Sequence, residues 1–462
     1  MLCALGRRHA AAAAAVAAGL GLVATRRQSE CDAAPAPHVT GVLVLFRHGA
    51  RSPVWALPDD DGQVYDAVTA APPHAPEVTI SNARKAWGGN KNGLLTTVGW
   101  AQGEALGRHL RSRYGAPAEP PTVRSTDVMR TVLTAHAVIT GMYAADAAAP
   151  DGIVIEVERR TALHAPLWCT PLATLMLEGR EEARRDARSQ CAYANLQAAY
   201  GGQRVAAIAV HDDCQARRFH AKDPSDAVDV ALCDAATREA AREIATALAN
   251  GGDETARLSA GPLCAQVGEI VRQLAASCNR ERARPNMVLL SGHDTSLFQA
   301  RAPSAPSQLP PRRIAPFAPT APSAPSAHPP HGACLFQLLN ALDGASRPVD
   351  RGWPPYTASI AVEVWSDDTV RVLYQFEPLA PPTDALNNGA AANGAAAAAG
   401  AAAGAAAGAA AGAAAAAGAV DGAEPLDSFL RRIDALSIDH AGHERLCKSS
   451  PGDGSSTFQF RD

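Results

Sequence analysis

Five consecutive apolar residues, Val42 to Phe46, run without a break into Arg47-His48-Gly49-Ala50-Arg51-Ser52-Pro53. This junction constrains the fold more than any other stretch of the chain. A continuous apolar run of this length suits a strand covered on both faces, the strand type of parallel sheets. The abrupt change to a polar loop puts charge at the carboxyl end of that strand, where open α/β sheets hold their ligands. Gly49 allows the backbone close approach, and Pro53 stiffens the loop and prevents helix. Two arginines flank one histidine, and such a cluster repels itself unless an anion sits among the charges. Arginine forks match phosphate oxygens two at a time. A histidine there can be a nucleophile through one ring nitrogen if a hydrogen bond holds the other. A basic surface turn is the plain alternative, and the full pattern behind a buried strand argues against it.

The remaining patterns continue in the α/β style. Met287 to Leu290 reads as a second buried strand. Ile360–Trp365 and Val370–Phe376 read as a late strand pair around the turn-prone Ser366-Asp367-Asp368. Val128, Val132, Ala135, Ile139 and Met142 fall on one helical face. Thr96 or Thr97 can cap a helix that carries Val98, Ala101, Ala105, Leu106 and Leu110 inward. Residues 234–249 and 262–278 also have helical patterns.

Two stretches cannot bury enough surface to offset chain entropy: the Pro/Ala/Ser-rich 300–334 and the Ala/Gly tract 386–424. The first is bordered by Leu297-Phe298-Gln299 and Leu335-Phe336-Gln337. Removing one copy with the intervening segment joins Gly-His-Asp-Thr-Ser-Leu-Phe-Gln directly to Leu-Leu-Asn-Ala-Leu, a loop running into an apolar helix. The segment therefore reads as a late insertion or an unremoved intervening sequence.

With 462 residues and 47% apolar content the chain can build one large α/β domain with a cap. A formal net charge of −4 argues against a general nucleic-acid binder, which needs a basic face. Ten scattered cysteines contain no CxxC pair, so a structural zinc site is not expected; buried thiols and long-range disulfides both fit. Residues 1–29 carry no acid, and an apolar run from Ala10 to Ala24 lies between Arg7-Arg8 and Arg26-Arg27. Residues 1–37 are expected to be a targeting leader, mitochondrial by its flanking arginines, with a secretory signal or membrane anchor as the alternative. His440 and His443 have helix-borne spacing without a nearby third ligand, and read as a surface helix. His211-Asp212-Asp213 reads as a loop or helix start.

Arg47-His48-Gly49-Ala50-Arg51-Ser52-Pro53 resembles, without departure, the Arg-His-Gly-x-Arg-x-Pro signature of the histidine acid phosphatase family. Three further stretches follow in the family's order: Leu95-Thr96-Thr97-Val98-Gly99 with Gln102, Arg124-Ser125-Thr126-Asp127, and Gly292-His293-Asp294-Thr295. Trp353-Pro354-Pro355-Tyr356 before a strand is similar too. The resemblance implies a phosphoglycerate-mutase-like α/β fold: a central mixed, mostly parallel sheet flanked by helices, with a smaller, mainly helical cap. It implies a domain over 38–385, with cap segments near 54–93 and 144–260, completed by 425–462. It implies phosphate-monoester hydrolysis through a phosphohistidine, without a metal or other cofactor. His48 would be the nucleophile and Asp294 the proton donor, with Arg47, Arg51, Arg124 and His293 on the phosphate. Asp213, Ala216, Arg217 and His220 would be cap structure, and Arg130 structural. The wording of the first motif, the Gly88–Thr96 approach and Trp353-Pro354-Pro355 are most similar to the lysophosphatidate-hydrolysing branch of the family. That implies a small phosphorylated substrate of lysophospholipid type; a phytase-like phosphatase and a catalytically impaired phospho-ligand binder are the alternatives.

Overall fold

Val39–Arg47 forms the central strand β1, longer at both ends than its apolar run. In the computed structural model, described for residues 36–55, 57, 65–81, 93–143 except 116 and 118, 150–158, 162–163, 169–220, 229–277, 284–293, 353–378 and 422–448, eight further strands join it. They are β2 (Thr79–Ile80), β3 (Thr122–Thr126), β4 (Val154–Glu158), β5 (Asn286–Gly292), β6 (Ser359–Trp365), β7 (Thr369–Tyr374), β8 (Glu377–Pro378) and β9 (Ala423–Pro425). Their order is β2-β4-β3-β5-β1-β6-β7-β8, with β9 also on β7. The five strands from β2 to β1 run parallel, and β6 to β9 add antiparallel pairs. This is the mixed α/β sheet expected, with its parallel half ending at the Arg-His loop.

Helices cover both faces. They are α1 (Thr97–Tyr114), α2 (Met129–Met142), α3 (Thr170–Arg185), α4 (Ala187–Ala199), α5 (Ala207–His220), α6 (Val230–Ala249), α7 (Asp253–Ala276), α8 (Leu426–Leu436) and α9 (His440–Lys448). Alternate residues of β1 serve opposite cores, as a pleated strand requires. Val42, Val44 and Phe46 pack with α1 and α2 residues such as Leu106, Val132 and Ile139. Leu43 and Leu45 pack with Leu263, Val267, Val271 and Phe429 from α7 and α8. A separate cluster of Leu196, Val210, Cys214, Cys233 and Ala236 holds α4, α5 and α6 together.

Thr96 caps α1, its Oγ1 accepting from the amide of Gly99. The inward face of α1 differs from the expected one. Val98, Ala101 and Ala105 are exposed, whereas Gly99, Trp100, Gly103, Leu106, Gly107 and Leu110 are buried. The cause is close packing against α2: a Cβ on Gly107 would stand 2.0 Å from the Val138 carbonyl oxygen. Only small residues allow that approach, so size rather than hydrophobicity selects the face. Squeezed between α1 and the sheet, α2 is buried on all sides from Arg130 to Met142 rather than along one stripe.

Other expectations shift. β4 lies inside the range 144–260 assigned to the cap but belongs to the main sheet. β9 begins within 386–424, the Ala/Gly tract. His211-Asp212-Asp213 lies within α5, well past its start, and all three are buried. His443 is not on a surface: it is 1% exposed, and its Nε2 donates to the Leu258 carbonyl at 2.7 Å. Cys169 and Cys447 form one disulfide and Cys214 and Cys233 another, while Cys191 and Cys264 are free. No described helix is long and apolar enough to cross a membrane. The leader, Asp294, residues 300–334, the helix expected through Leu338 and Leu342, and most of the Ala/Gly tract lie outside the described residues.

Candidate active site

Three carboxyl ends of parallel strands, β1, β5 and β3, converge where the chain leaves the sheet. β1 and β5 pair in register up to Arg47 opposite Gly292, and the His48 amide donates to the Gly292 carbonyl at 3.1 Å. His48 and His293 therefore leave adjacent strand ends with ring centroids 5.5 Å apart, edge to face. Both are almost fully buried, at 1% and 0% exposure.

The loop after His48 is threaded against α1 and α2. The Gly49 amide donates to Thr134 Oγ1, the Ala50 amide to Gln102 Oε1, and the Ala50 carbonyl accepts from the Thr96 amide. A Cβ on Gly49 would lie 2.2 Å from the Gly99 carbonyl oxygen, so close approach requires glycine here. Thr96, Gly99 and Gln102, expected as one helix start, thus form the wall of the loop.

His48 Nδ1 lies 2.9 Å from the Gly49 carbonyl oxygen. A carbonyl only accepts, so Nδ1 carries the proton and Nε2 keeps its lone pair. Burial, then the charges of Arg130, Arg47, Arg51 and His293, holds this imidazole well below the usual histidine range. That shift favours the neutral ring, the form in which an imidazole can act as a nucleophile.

The arginines are fixed from behind. Arg47 donates to the Pro354 carbonyl at 2.6 Å and lies over the Tyr356 ring, 4.3 Å from its centroid. The Trp353-Pro354-Pro355-Tyr356 stretch thus orients a site arginine. Arg51 donates from Nη1 to the Ser52 carbonyl at 3.0 Å and pairs through Nη2 with Asp212 at 2.7 Å.

Arg124 does not join this group. Its Nε pairs with Glu156 of β4 at 3.1 Å, and both side chains are substantially exposed. Arg130, read from sequence as structural, faces the site instead. It is buried, its Nη2 donates to His293 Nδ1 at 3.3 Å, and its charge ranks first among those acting on His48. His293 Nε2 then carries the proton toward Thr126 Oγ1, 3.1 Å away. The correction has a simple cause: Arg124 lies mid-strand, whereas Arg130 lies in the first turn of α2, which begins beyond the carboxyl end of β3. The one arginine in a helix without Asp, Glu or Lys was the available signal.

The assembled group is two buried histidines and three arginines around one strand-end crevice. Such a group can balance the charge of a phosphate dianion and offers a histidine that can act as a nucleophile.

The model of the histidine phosphatase superfamily, branch 2, matches residues 38–302, and the chain belongs to that superfamily. Lysophosphatidic acid phosphatase type 6 of Bos taurus is 31% identical over 176 residues, 32% of this chain and 40% of that protein. The chain thus matches well under half the length of this curated relative. Among solved structures, the Citrobacter braakii phytase aligns over 89% of this chain and 100% of its own, at 13% identity and a TM-score of 0.47. The multiple inositol polyphosphate phosphatase of Bifidobacterium longum aligns over 76% of this chain and 89% of its own, at 10% identity and a TM-score of 0.43.

Proposed function

We propose that the chain is a phosphomonoesterase that works through a phosphohistidine at His48. One observation carries this reading: the Gly49 carbonyl fixes the proton on Nδ1 of a buried neutral histidine, which turns Nε2 into the nucleophile among Arg47, Arg51, Arg130 and His293. Nε2 attacks phosphorus in line as the ester P–O bond breaks. Water then attacks the phosphohistidine, releasing inorganic phosphate and restoring His48. The arginines balance the charge on the equatorial oxygens. The phosphate-contacting role expected of Arg124 passes to Arg130.

Fixed guanidinium charge here does what a metal's charge does elsewhere. Hydrolysis of p-nitrophenyl phosphate, followed across pH, is therefore expected to persist into acid and to be unchanged after prolonged dialysis against EDTA. Loss of activity restored by magnesium or zinc would contradict this reading.

Asp294 follows His293 directly in sequence and is proposed as the acid that protonates the leaving oxygen. Its importance should then track the basicity of that oxygen. Asp294→Asn is expected to lose about 10²-fold or more in kcat with an alkyl phosphate, and far less with p-nitrophenyl phosphate. Equal losses on both substrates would remove Asp294 from that role.

Lysophosphatidic acid is the finer substrate reading, supported by the bovine relative and the Gly88–Thr96 wording. Comparing kcat/KM for lysophosphatidic acid and inositol hexakisphosphate separates it from a phytase-like activity. The disulfides bear on the leader as well. Disulfides persist in oxidising compartments, which supports the secretory alternative over a mitochondrial address in any compartment held reducing by thiols.

A further inference from the structure

Asp212 is a carboxylate in the interior of a cap helix, 4% exposed, where an ionised group needs full hydrogen bonding to persist. Both of its oxygens are committed, and both to the same loop. Oδ1 pairs with Arg51 Nη2 at 2.7 Å, with both side chains 6% exposed. Oδ2 accepts from the Val54 amide at 2.7 Å. One side chain of α5 thus grips the guanidinium and the backbone three residues further on. A second link lies two turns later on the same helix. His220 Nδ1 donates to the Ala216 carbonyl at 2.6 Å, and its Nε2 hydrogen-bonds Thr96 Oγ1 at 2.7 Å. Thr96 in turn donates its amide to the Ala50 carbonyl. The cap helix is therefore keyed to the 48–54 loop on both sides of Arg51.

We infer that Asp212 is a positioning residue, through which the placement of cap helix α5 sets the orientation of Arg51. The inference rests on the hydrolase reading for its effect on rate, but not for its effect on the loop. The guanidinium has two forks: Asp212 takes one Nη2 contact and the Ser52 carbonyl an Nη1 contact. These fix the plane in which the remaining N–H bonds point. A ground-state phosphate can be met by an arginine that rearranges. The transition state rewards only donors already in place. Losing Asp212 should therefore act on kcat more than on ground-state binding, because it frees Arg51 without removing its charge.

The test is a pair of measurements on the full chain. Asp212→Asn keeps one acceptor oxygen, enough for the Val54 amide, and removes the charge that pairs with the Arg51 guanidinium. Its kcat on p-nitrophenyl phosphate is expected to fall at least about tenfold, with KM and the Kd of inorganic phosphate changed far less. In an Arg51→Ala background the same substitution should have little effect on kcat. An unchanged kcat, or an equal loss in both backgrounds, overturns the inference. Asp212→Ala removes both contacts. Amide hydrogen exchange should then rise in the peptide spanning 49–55 while β3 and β5 exchange as in the parent. Unchanged exchange at 49–55 overturns the inference even if the parent shows no turnover, an outcome that would separately refute the hydrolase reading. Should Asp212→Ala not fold, the same exchange measurement on Asp212→Asn, with loosening expected at Arg51 and Ser52, decides it.

Discussion

His48→Ala is expected to abolish phosphate-ester hydrolysis, with a loss of kcat of at least about 10⁴-fold, as for removal of the nucleophile in other covalent mechanisms. The side chain contributes little to the fold. Its neighbours Arg47 and Gly49 are held by the Pro354 carbonyl and by Thr134, and its backbone is held by Gly292 and Thr357. The variant should therefore remain folded. Parent enzyme quenched during turnover of a radiolabelled ester should carry label that is acid-labile and base-stable, as phosphoramidates are. The label should be absent from His48→Ala. A His48→Ala protein that turns over at the parental rate would end the phosphohistidine reading.

Arg130→Met should have the next largest effect, and it separates two arginines that lie six residues apart. Methionine keeps much of the buried volume and removes the charge. A donor lost from a preorganised anion site costs on the order of 10²–10³ in kcat. The pH profile should move as well. His48 must be neutral to attack, so the acid limb of kcat/KM follows its pKa in the free enzyme. After burial, the charge of Arg130 does most to hold that pKa down. Without it the imidazole accepts a proton at higher pH, and the acid limb shifts upward, toward the ordinary histidine value of about 6.5. Arg124→Ala removes only a partly exposed pair with Glu156, of the kind worth about 0–1 kcal/mol. Its kcat/KM and acid limb should stay near those of the parent. If instead Arg124→Ala shows the large loss and the shift, the assignment of Arg130 is wrong.

The core of the site was legible because its elements are local. β1 and its loop are contiguous, and a five-residue apolar run followed by Arg-His-Gly admits few other readings. The position of His293 after a second buried strand follows from the same rule. What the sequence hides is anything set by tertiary approach. Arg124 and Arg130 are six residues apart, and only the end of β3 and the start of α2 decide which one reaches His48. Asp212 lies 161 positions after Arg51, in a helix whose pattern gives no hint that a mid-helix carboxylate faces a distant loop. The inward face of α1 is equally hidden, because Gly103 and Gly107 look like poor core residues. They become core residues only where another helix backbone comes within contact distance. Disulfide partners likewise cannot be deduced from cysteine positions.

The Cys169–Cys447 disulfide joins residues 278 positions apart. It turns the chain from residue 169 to residue 447 into a covalent ring. Within that ring lie the second histidine, the whole antiparallel half of the sheet, and both low-complexity tracts. A single peptide bond cut anywhere between 379 and 421 would open the ring without dividing the molecule. The piece carrying α8 and α9 would stay attached through sulfur as well as through the β7–β9 pairing. Such a nicked chain keeps its length on a non-reducing gel and separates into two fragments only when a thiol is added. In topological terms the tracts are inserts in a closed loop, so their length can drift while residues 169 and 447 stay joined.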